Sequence, residues 1–169
     1  VIAFTYKNKK INILDTPGHK DFAEDTFRTL TAVDSVIVVI DVSKGVEEQT
    51  EKLVEVCRMR NIPIIVFINK LDREGKDAFD LLDEVEKKLG LNVTPLSIPI
   101  GIGYDFRGIY NIWKQNIKLF QDDKKQIIGE KKIFNSLKDP VFKNIIGDDK
   151  HKTLLEELEL IQGVYPLFN

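Results

Sequence analysis

Apolar and polar positions along residues 1–92 alternate in blocks that predict strands and helices in turn. The β-rich runs are VIAFTY (1–6), INILD (11–15), SVIVVID (35–41) and IPIIVFI (62–68). Lys7–Lys10 joins the first two runs as a hairpin with a solvated tip. Amphipathic segments at 21–34, 46–59 and 78–89 each follow a run. Strands that alternate with such helices predict crossover units on a mostly parallel sheet.

The internal pattern of these elements predicts which residues face inward. The third and fourth runs are continuously apolar, as expected for buried strands covered on both faces. The last helix has Asp77 at its start and Gly90 at the position after its end, which is typical of helix termini. The predicted inward residues of the second and third helices are Leu53, Val54 and Cys57, then Phe79, Leu82, Val85 and Leu89.

After residue 92 the pattern changes to short strands and later helices. The segment 93–101 predicts a strand, 106–120 a hairpin, Asp139-Pro140 the start of a short helix, and 152–163 a longer helix. In that last helix we expect Leu154, Leu155, Leu158 and Ile161 to face inward and Gly163 to mark the end. We therefore expect an α/β domain with a mostly parallel sheet and flanking helices over 1–92, and a small α+β subdomain over 93–169.

Composition changes this picture little. The chain has 169 residues, a formal net charge of −2 and one cysteine, so nothing draws it generally to nucleic acid and no internal disulfide is possible. Cys57 lies on an apolar stripe, which favours a core residue over a nucleophile. No run approaches the ~18 apolar residues of a membrane span. We expect a cytoplasmic protein with no membrane partner and no sequence-specific DNA binding.

Three aromatic or basic residues of the second part have a simple structural interpretation. Tyr110 and Trp113 lie beside lysines in YNIWKQNIKLF, a composition that also suits RNA stacking. Packing in the core is the favoured interpretation of both aromatic residues. His151 lies among charged residues and is expected at the surface, near the start of a helix.

Candidate chemistry begins in the turn Asp15-Thr16-Pro17-Gly18-His19, which follows the second run directly. An aspartate at the end of a buried strand needs a partner, and hydrated Mg²⁺ is a suitable one. Gly18 leaves room for a backbone N–H to approach a phosphate, and Pro17 stiffens the turn. His19 comes next in the sequence, at the position where a water molecule that attacks that phosphate would be held. Ordinary turn chemistry explains each residue singly.

A second polar cluster, Asn69-Lys70-Leu71-Asp72, follows the fourth run. The Asp72 carboxylate can accept from the ring N–H and the exocyclic amine of guanine, whereas adenine offers neither donor. Asn69 can tie the loop together, and the Lys70 stem can lie along the base. Ligands of α/β sheets bind at the carboxyl ends of the strands. Because both clusters follow strand ends, we expect them to converge at one edge of the sheet.

Together, DTPGH and NKLD resemble the third and fourth signature motifs of the translational GTPases. Over residues 11–110 the chain is similar to the bacterial peptide chain release factor three family, most clearly in EDTFRTLTAVD and LLDEVE. The resemblance implies part of a P-loop GTPase-type G domain over 1–92 and its inserted subdomain over 93–169. It also implies GTP/GDP and Mg²⁺ as cofactors, and the ribosome and class I release factors as partners.

The resemblance further implies a role for each motif residue. Asp15 would hold the water shell of Mg²⁺, and Gly18 would sense the γ-phosphate through its backbone N–H. His19 would position the attacking water. Asn69 and Asp72 would read guanine, with Lys70 packing on the base. The segment from Thr16 to Leu30 would be a switch, ordered by the γ-phosphate and released after hydrolysis.

Three parts of that family's pattern are absent, namely the phosphate loop, an upstream threonine switch and the loop that completes the base pocket. No G-x-x-x-x-G-K-[ST] loop occurs, and the sole Gly-Lys pair, Gly75-Lys76, is followed by Asp77. We expect that the chain is a segment cut from a longer GTPase, and that it binds GTP poorly and does not hydrolyse it by itself. Two alternatives stay open: an elongation translocase-like or ribosome-protection GTPase, and a non-enzymatic G-like module that binds the ribosome or a protein.

Overall fold

The computed structural model of the chain describes residues 1–16, 23–120 and 132–168. The chain divides into two compact units. The first unit comprises Val1–Val39 and Val46–Phe67, and the second comprises Ile40–Gly45 and Ile68–Asn169. The functional ranges 1–92 and 93–169 stay a prediction.

Helices and strands alternate through the first half of the chain, and short strands precede the last two helices. The strands are β1 (Ile2–Tyr6), β2 (Lys9–Ile13), β3 (Val36–Asp41), β4 (Ile64–Asn69), β5 (Ser97–Ile100), β6 (Gly108–Asn111), β7 (Asn116–Leu119) and β8 (Lys132–Phe134). The helices are α1 (Ala23–Leu30), α2 (Glu48–Met59), α3 (Ala78–Leu89), α4 (Pro140–Ile146) and α5 (Asp148–Val164).

The first unit opens with the predicted hairpin, whose turn is tighter than expected. Strands β1 and β2 pair antiparallel from Ile2 opposite Ile13 to Tyr6 opposite Lys9. Only Lys7 and Asn8 form the turn, with φ of 47° and 61°, which is the type I′ geometry that matches strand twist. The prediction that Lys9 and Lys10 lie in the turn is therefore wrong.

The second run is neither as long nor as buried as its sequence predicts. Strand β2 ends at Ile13, two residues before Asp15, and most of its residues are exposed. Within the described residues it pairs with β1, in a two-stranded sheet separate from β3 and β4. The expectation that Asp15 directly ends a buried strand is wrong, because both faces of a two-stranded hairpin are accessible to solvent.

Strands β3 and β4 form the parallel pair that the alternating pattern predicts. Val36 N–H donates to the Pro63 carbonyl and Val42 N–H to the Asn69 carbonyl, at 2.9 and 3.1 Å. Both pairings have the same sequence offset, so the strands run in the same direction. The α/β fold class with flanking helices is confirmed.

The expected cover on both faces of these two strands is not observed. Four alternate side chains on one face are 50–63% exposed: Ile37, Val39, Ile65 and Phe67. Successive side chains of a strand point to opposite faces. A continuously apolar run therefore indicates that a strand tolerates burial on both faces, but it does not itself supply a second covering layer.

The second unit contains an antiparallel sheet and the last two helices. The sheet order is β5-β6-β7-β8, and the pairing of β6 with β7 confirms the predicted hairpin. Helix α4 begins at Pro140. Asp139 caps its N-terminus, and the Asp139 side chain accepts hydrogen bonds from the N–H groups of Val141 and Phe142. The hydrophobic core of the unit consists of Ile98, Ile100, Tyr110, Ile117, Leu119, Phe142, Ile146, Leu154, Leu158 and Ile161.

The termini of α3 were predicted correctly, whereas the inward faces of α3 and α5 and the end of α5 were predicted only in part. Helix α3 spans the predicted residues, with the Asp77 side chain accepting from Phe79 N–H and Gly90 left-handed at φ 59°. Leu81 is buried, whereas the predicted Leu82 is half-buried. In α5, Leu155 is 43% exposed, so its predicted inward position is wrong. Gly163 lies inside α5, not at its end.

The aromatic residues and the histidine of the second unit separate into core and surface. Tyr110 is buried as predicted, whereas Trp113 is 59% exposed and meets Phe168 edge-on. His151 is half-buried, with Nε2 2.7 Å from the Leu137 carbonyl oxygen, and packs edge-on against Phe142. The expected surface position of His151 and core position of Trp113 are therefore both wrong.

Candidate functional site

The loop after β4 carries the second predicted cluster, and backbone bonds fix its shape. Asn69 ends the strand, and Val42 N–H donates to its carbonyl. Lys70 adopts a left-handed conformation with φ 65°, and its N–H donates to Asn69 Oδ1 at 2.9 Å. Arg73 N–H donates to the Lys70 carbonyl at 2.9 Å. The structure thus confirms that the Asn69 side chain ties the loop to itself.

The Lys70 side chain is held by an aspartate that sequence analysis did not select. Lys70 Nζ lies 2.6 Å from Asp41 Oδ2, at the end of β3. Asp41 Oδ1 accepts from the backbone N–H and the hydroxyl of Ser43, at 2.9 and 2.7 Å. The hydrogen bond from Lys70, followed by those from Ser43, holds the pKa of Asp41 well below its ordinary value. Asp41 is therefore ionised throughout the physiological range.

Two further segments of the second unit contact the 41–43 turn and the 69–72 loop. Lys76 N–H donates to the Val42 carbonyl at 3.1 Å, and Gly75 lies so close to Val42 that an added Cβ would be 2.8 Å from its carbonyl oxygen. Gly103 N–H, in a short 3₁₀ turn, donates to the Leu71 carbonyl at 2.8 Å. Hydrogen bonds to Val42 and Gly103 hold the loop at Asn69 and Leu71, while Asn69 and Asp72 are exposed and Lys70 and Leu71 are half-buried.

Sequence analysis missed Asp41, Gly75 and Gly103 as supports of this loop. The signal for Asp41 was present, because it ends an apolar strand just as Asp15 follows one. Gly103 gave no usable signal, since its contact with Leu71 joins segments that are far apart in the sequence and depends on the tertiary fold.

Asp72 presents an exposed carboxylate at the end of the loop. Its side chain is exposed, and the described residues give its carboxylate no hydrogen bond or ion pair. A carboxylate with free acceptors fits the two adjacent donors of guanine and is mismatched to adenine. The chemistry of the residues present therefore fits a guanine base.

The first cluster is described only in part. Asp15 is exposed and Thr16 is half-buried, while Pro17, Gly18 and His19 lie outside the described residues. No group of three or more metal-ligating side chains occurs in the described part of the chain. A single carboxylate still fits Mg²⁺, which keeps several waters and takes phosphate oxygens as ligands. Asp15 lies in the first unit and the 69–72 loop in the second, so their convergence stays a prediction.

The α/β fold, with parallel strands and flanking helices, is consistent with a partial GTPase domain. The family described as the elongation factor Tu GTP binding domain matches residues 1–161. The chain belongs to this family, which is one of translational GTPases.

A solved structure agrees with the fold. The crystal structure of a protein from Thermus thermophilus superposes with a TM-score of 0.68 at 23% sequence identity. The match covers 91% of this chain and 22% of that chain. In the ranges that the structure describes, no helix is sufficiently long and apolar to cross a membrane.

Proposed function

We propose that the gene product containing this chain is a GTP hydrolase that acts on the ribosome. The observation that carries the proposal is the 69–72 loop in a member of the elongation factor Tu GTP binding domain family. This loop presents Asp72 as an exposed carboxylate, and hydrogen bonds of Asn69 and Lys70 fix its backbone.

In this proposal the second cluster selects the base. Asp72 accepts from the ring N–H and the 2-amino group of guanine, and the Lys70 stem lies along the ring. The exclusion of adenine follows from the cost of leaving a desolvated carboxylate unpaired.

The first cluster acts on the phosphates. The resemblance implies that Thr16 and Pro17 belong to the phosphate site and that the Gly18 N–H would donate to the γ-phosphate. Asp15 would hold Mg²⁺ through its waters, and the ion would neutralise phosphate charge when bound. His19 would hold the attacking water, whose oxygen bonds to the γ-phosphorus as the bond from that phosphorus to the β–γ bridging oxygen breaks, and the proton that the water loses passes to a phosphate oxygen. The products are GDP and inorganic phosphate.

For the biological role we propose the action of release factor three, namely removal of class I release factors from the ribosome after termination. Support comes from the resemblance of EDTFRTLTAVD and LLDEVE to that family. A cytoplasmic location accompanies this role. The translocase-like, ribosome-protection and non-enzymatic alternatives predict different outcomes in the experiment below.

The experiment uses the full-length gene product, titrated with fluorescent GDP, GTP and ADP and then assayed for hydrolysis with and without ribosomes. We expect guanine-selective binding, loss of it in Asp72→Ala, and stimulation of hydrolysis by ribosomes. Asp80→Ala removes another exposed aspartate, in the first turn of α3, and serves as the matched control. Guanine binding without ribosome-stimulated hydrolysis would indicate the non-enzymatic module, and no binding would overturn the proposal.

A second assay separates the roles on the ribosome. Ribosomes stalled after peptide release, with a labelled class I release factor bound, are mixed with the protein and GTP. Accelerated loss of the label supports the release factor role. Movement of messenger RNA instead would indicate a translocase.

A further inference from the structure

We propose that Asp41 is a positioning residue of the proposed guanine site, acting through Lys70. This inference rests on the proposed function, because it assigns Asp41 to the same nucleotide site. Asp41 would touch no nucleotide. Its carboxylate would fix the far end of the Lys70 side chain, so that the aliphatic stem is held in one path before the base arrives.

The contacts of Asp41 suit this task. One carboxylate oxygen, Oδ1, accepts both bonds from Ser43, which anchors the carboxylate to its own turn. The other, Oδ2, accepts from Lys70 Nζ at 2.6 Å. The Asp41 side chain is 16% exposed and that of Lys70 is 41% exposed. The anchor is thus the more buried partner, and the lysine stem stays partly open to a ligand.

The backbone of Lys70 adds a second constraint. Its left-handed φ of 65° is unusual for a residue other than glycine and sets the direction in which the side chain leaves the loop. The same turn that carries Asp41 also binds the loop backbone, since Val42 N–H donates to the Asn69 carbonyl. The backbone conformation of Lys70 therefore sets the direction of its side chain, and Asp41 sets the end point.

The energetic reason for such an anchor is conformational entropy. A free lysine side chain has many rotamers and loses most of that freedom when it packs on a ligand. The ion pair with Asp41 already restricts the Lys70 side chain in the folded protein. The loss of rotamer freedom therefore occurs on folding and not on nucleotide binding, and the nucleotide meets a preorganised lysine stem. Asp41 would thereby increase affinity for a base that it does not contact.

The test measures GDP dissociation constants and binding stoichiometry of the full-length gene product. For Asp41→Asn we expect a Kd about tenfold higher at unchanged stoichiometry, because most of the rotamer freedom of the lysine would then be lost on binding instead of on folding. A merely structural role would lower the fraction of active protein instead of raising the Kd. Asp83→Asn breaks the exposed ion pair with Lys87 on α3 and should leave both quantities unchanged.

A double-mutant cycle then tests whether Asp41 acts through Lys70. In a Lys70→Met background, Asp41→Asn should change the Kd less than twofold. An undiminished effect in that background would overturn the positioning role, as would a single-variant Kd within about twofold of the wild type. Should Asp41→Asn not fold, Asp41→Glu keeps the charge one methylene away, and its Kd should lie above the wild-type value.

Failure of the positioning role is distinguishable from failure of the proposed function. A wild-type protein that binds GDP while Asp41→Asn binds equally well contradicts only the role of Asp41. A wild-type protein that does not bind GDP contradicts both.

Discussion

Replacement of Gly101 by alanine should damage the short turn that braces the 69–72 loop. Gly101 has a φ of 73°, which costs an L-residue about 1–2 kcal/mol. An added Cβ would also overlap the Asp105 carbonyl, with its carbon at 2.7 Å and the Phe106 nitrogen at 3.3 Å. Such overpacking costs about 1–3 kcal/mol. We therefore expect Gly101→Ala to lower the free energy of unfolding by about 2–5 kcal/mol.

Gly103, two residues after Gly101, provides the matched control. Its φ of 65° gives alanine a similar backbone penalty, but the nearest atoms to an added Cβ, in Arg73 and Glu74, are at an ordinary 3.7 Å. Gly103→Ala should therefore cost only about 1–2 kcal/mol. Urea denaturation followed by circular dichroism measures both variants. Equal free energies of unfolding for the two would refute the steric reasoning, because only Gly101 has the clash.

Three other predictions concern the core and two titratable side chains. Phe142→Ala should destabilise the second unit by about 3–5 kcal/mol, since this side chain is fully buried, whereas Val141→Ala, at a 58% exposed site, should cost under about 1 kcal/mol in the same denaturation assay. Burial, and then the Asp77 carboxylate, raise the pKa of Glu157 above its ordinary 4.5. The folded state therefore favours the protonated form of Glu157, and its charge destabilises the protein at pH 7. Glu157→Gln should raise the Tm at pH 7 by about 2–4 °C. This gain should shrink as the pH falls through the raised pKa toward 4.5, and an equal gain at pH 4 would contradict the reasoning. Burial also raises the pKa of the Cys57 thiol, so iodoacetamide should modify it only after unfolding, and rapid labelling of the native chain would show that the thiol is accessible.

The elements that sequence analysis predicted best are those with local signals at both ends. Helix α3 is correct to the residue because Asp77 and Gly90 mark its termini through their own backbone and side-chain bonds. The β6–β7 hairpin was recognisable for a similar reason, since two β-rich segments flank a short polar turn. In both cases residues close together in the sequence were sufficient to predict the element.

The errors lie where burial depends on distant packing. The apolar runs of β3 and β4 suggested cover on both faces, yet Phe67 is 55% exposed. Leu155 matched the helical stripe of α5 but lies outside the face that meets the sheet. Periodicity identifies residues that tolerate burial, whereas the packing of the whole unit decides which of them are buried.

In the candidate site, too, residues with a local sequence signal were predicted and residues that depend on distant contacts were not. Asn69, Lys70 and Asp72 were selected as candidates because they follow an apolar run. Asp41 was missed because its partner is 29 residues away in the sequence. Only the parallel pairing of β3 with β4 brings these strand ends together.

The most direct test of a guanine site is a change of base preference at Asp72. Xanthine has a carbonyl oxygen where guanine has its 2-amino group, so an amide that donates there suits xanthine. We predict that Asp72→Asn in the full-length gene product weakens GDP binding at least about a hundredfold, as expected for a lost charged contact and an added mismatch. Binding of xanthosine diphosphate should strengthen in the same variant. Unchanged GDP affinity, or equal loss of both nucleotides, would contradict the assignment of Asp72 as the residue that reads the base.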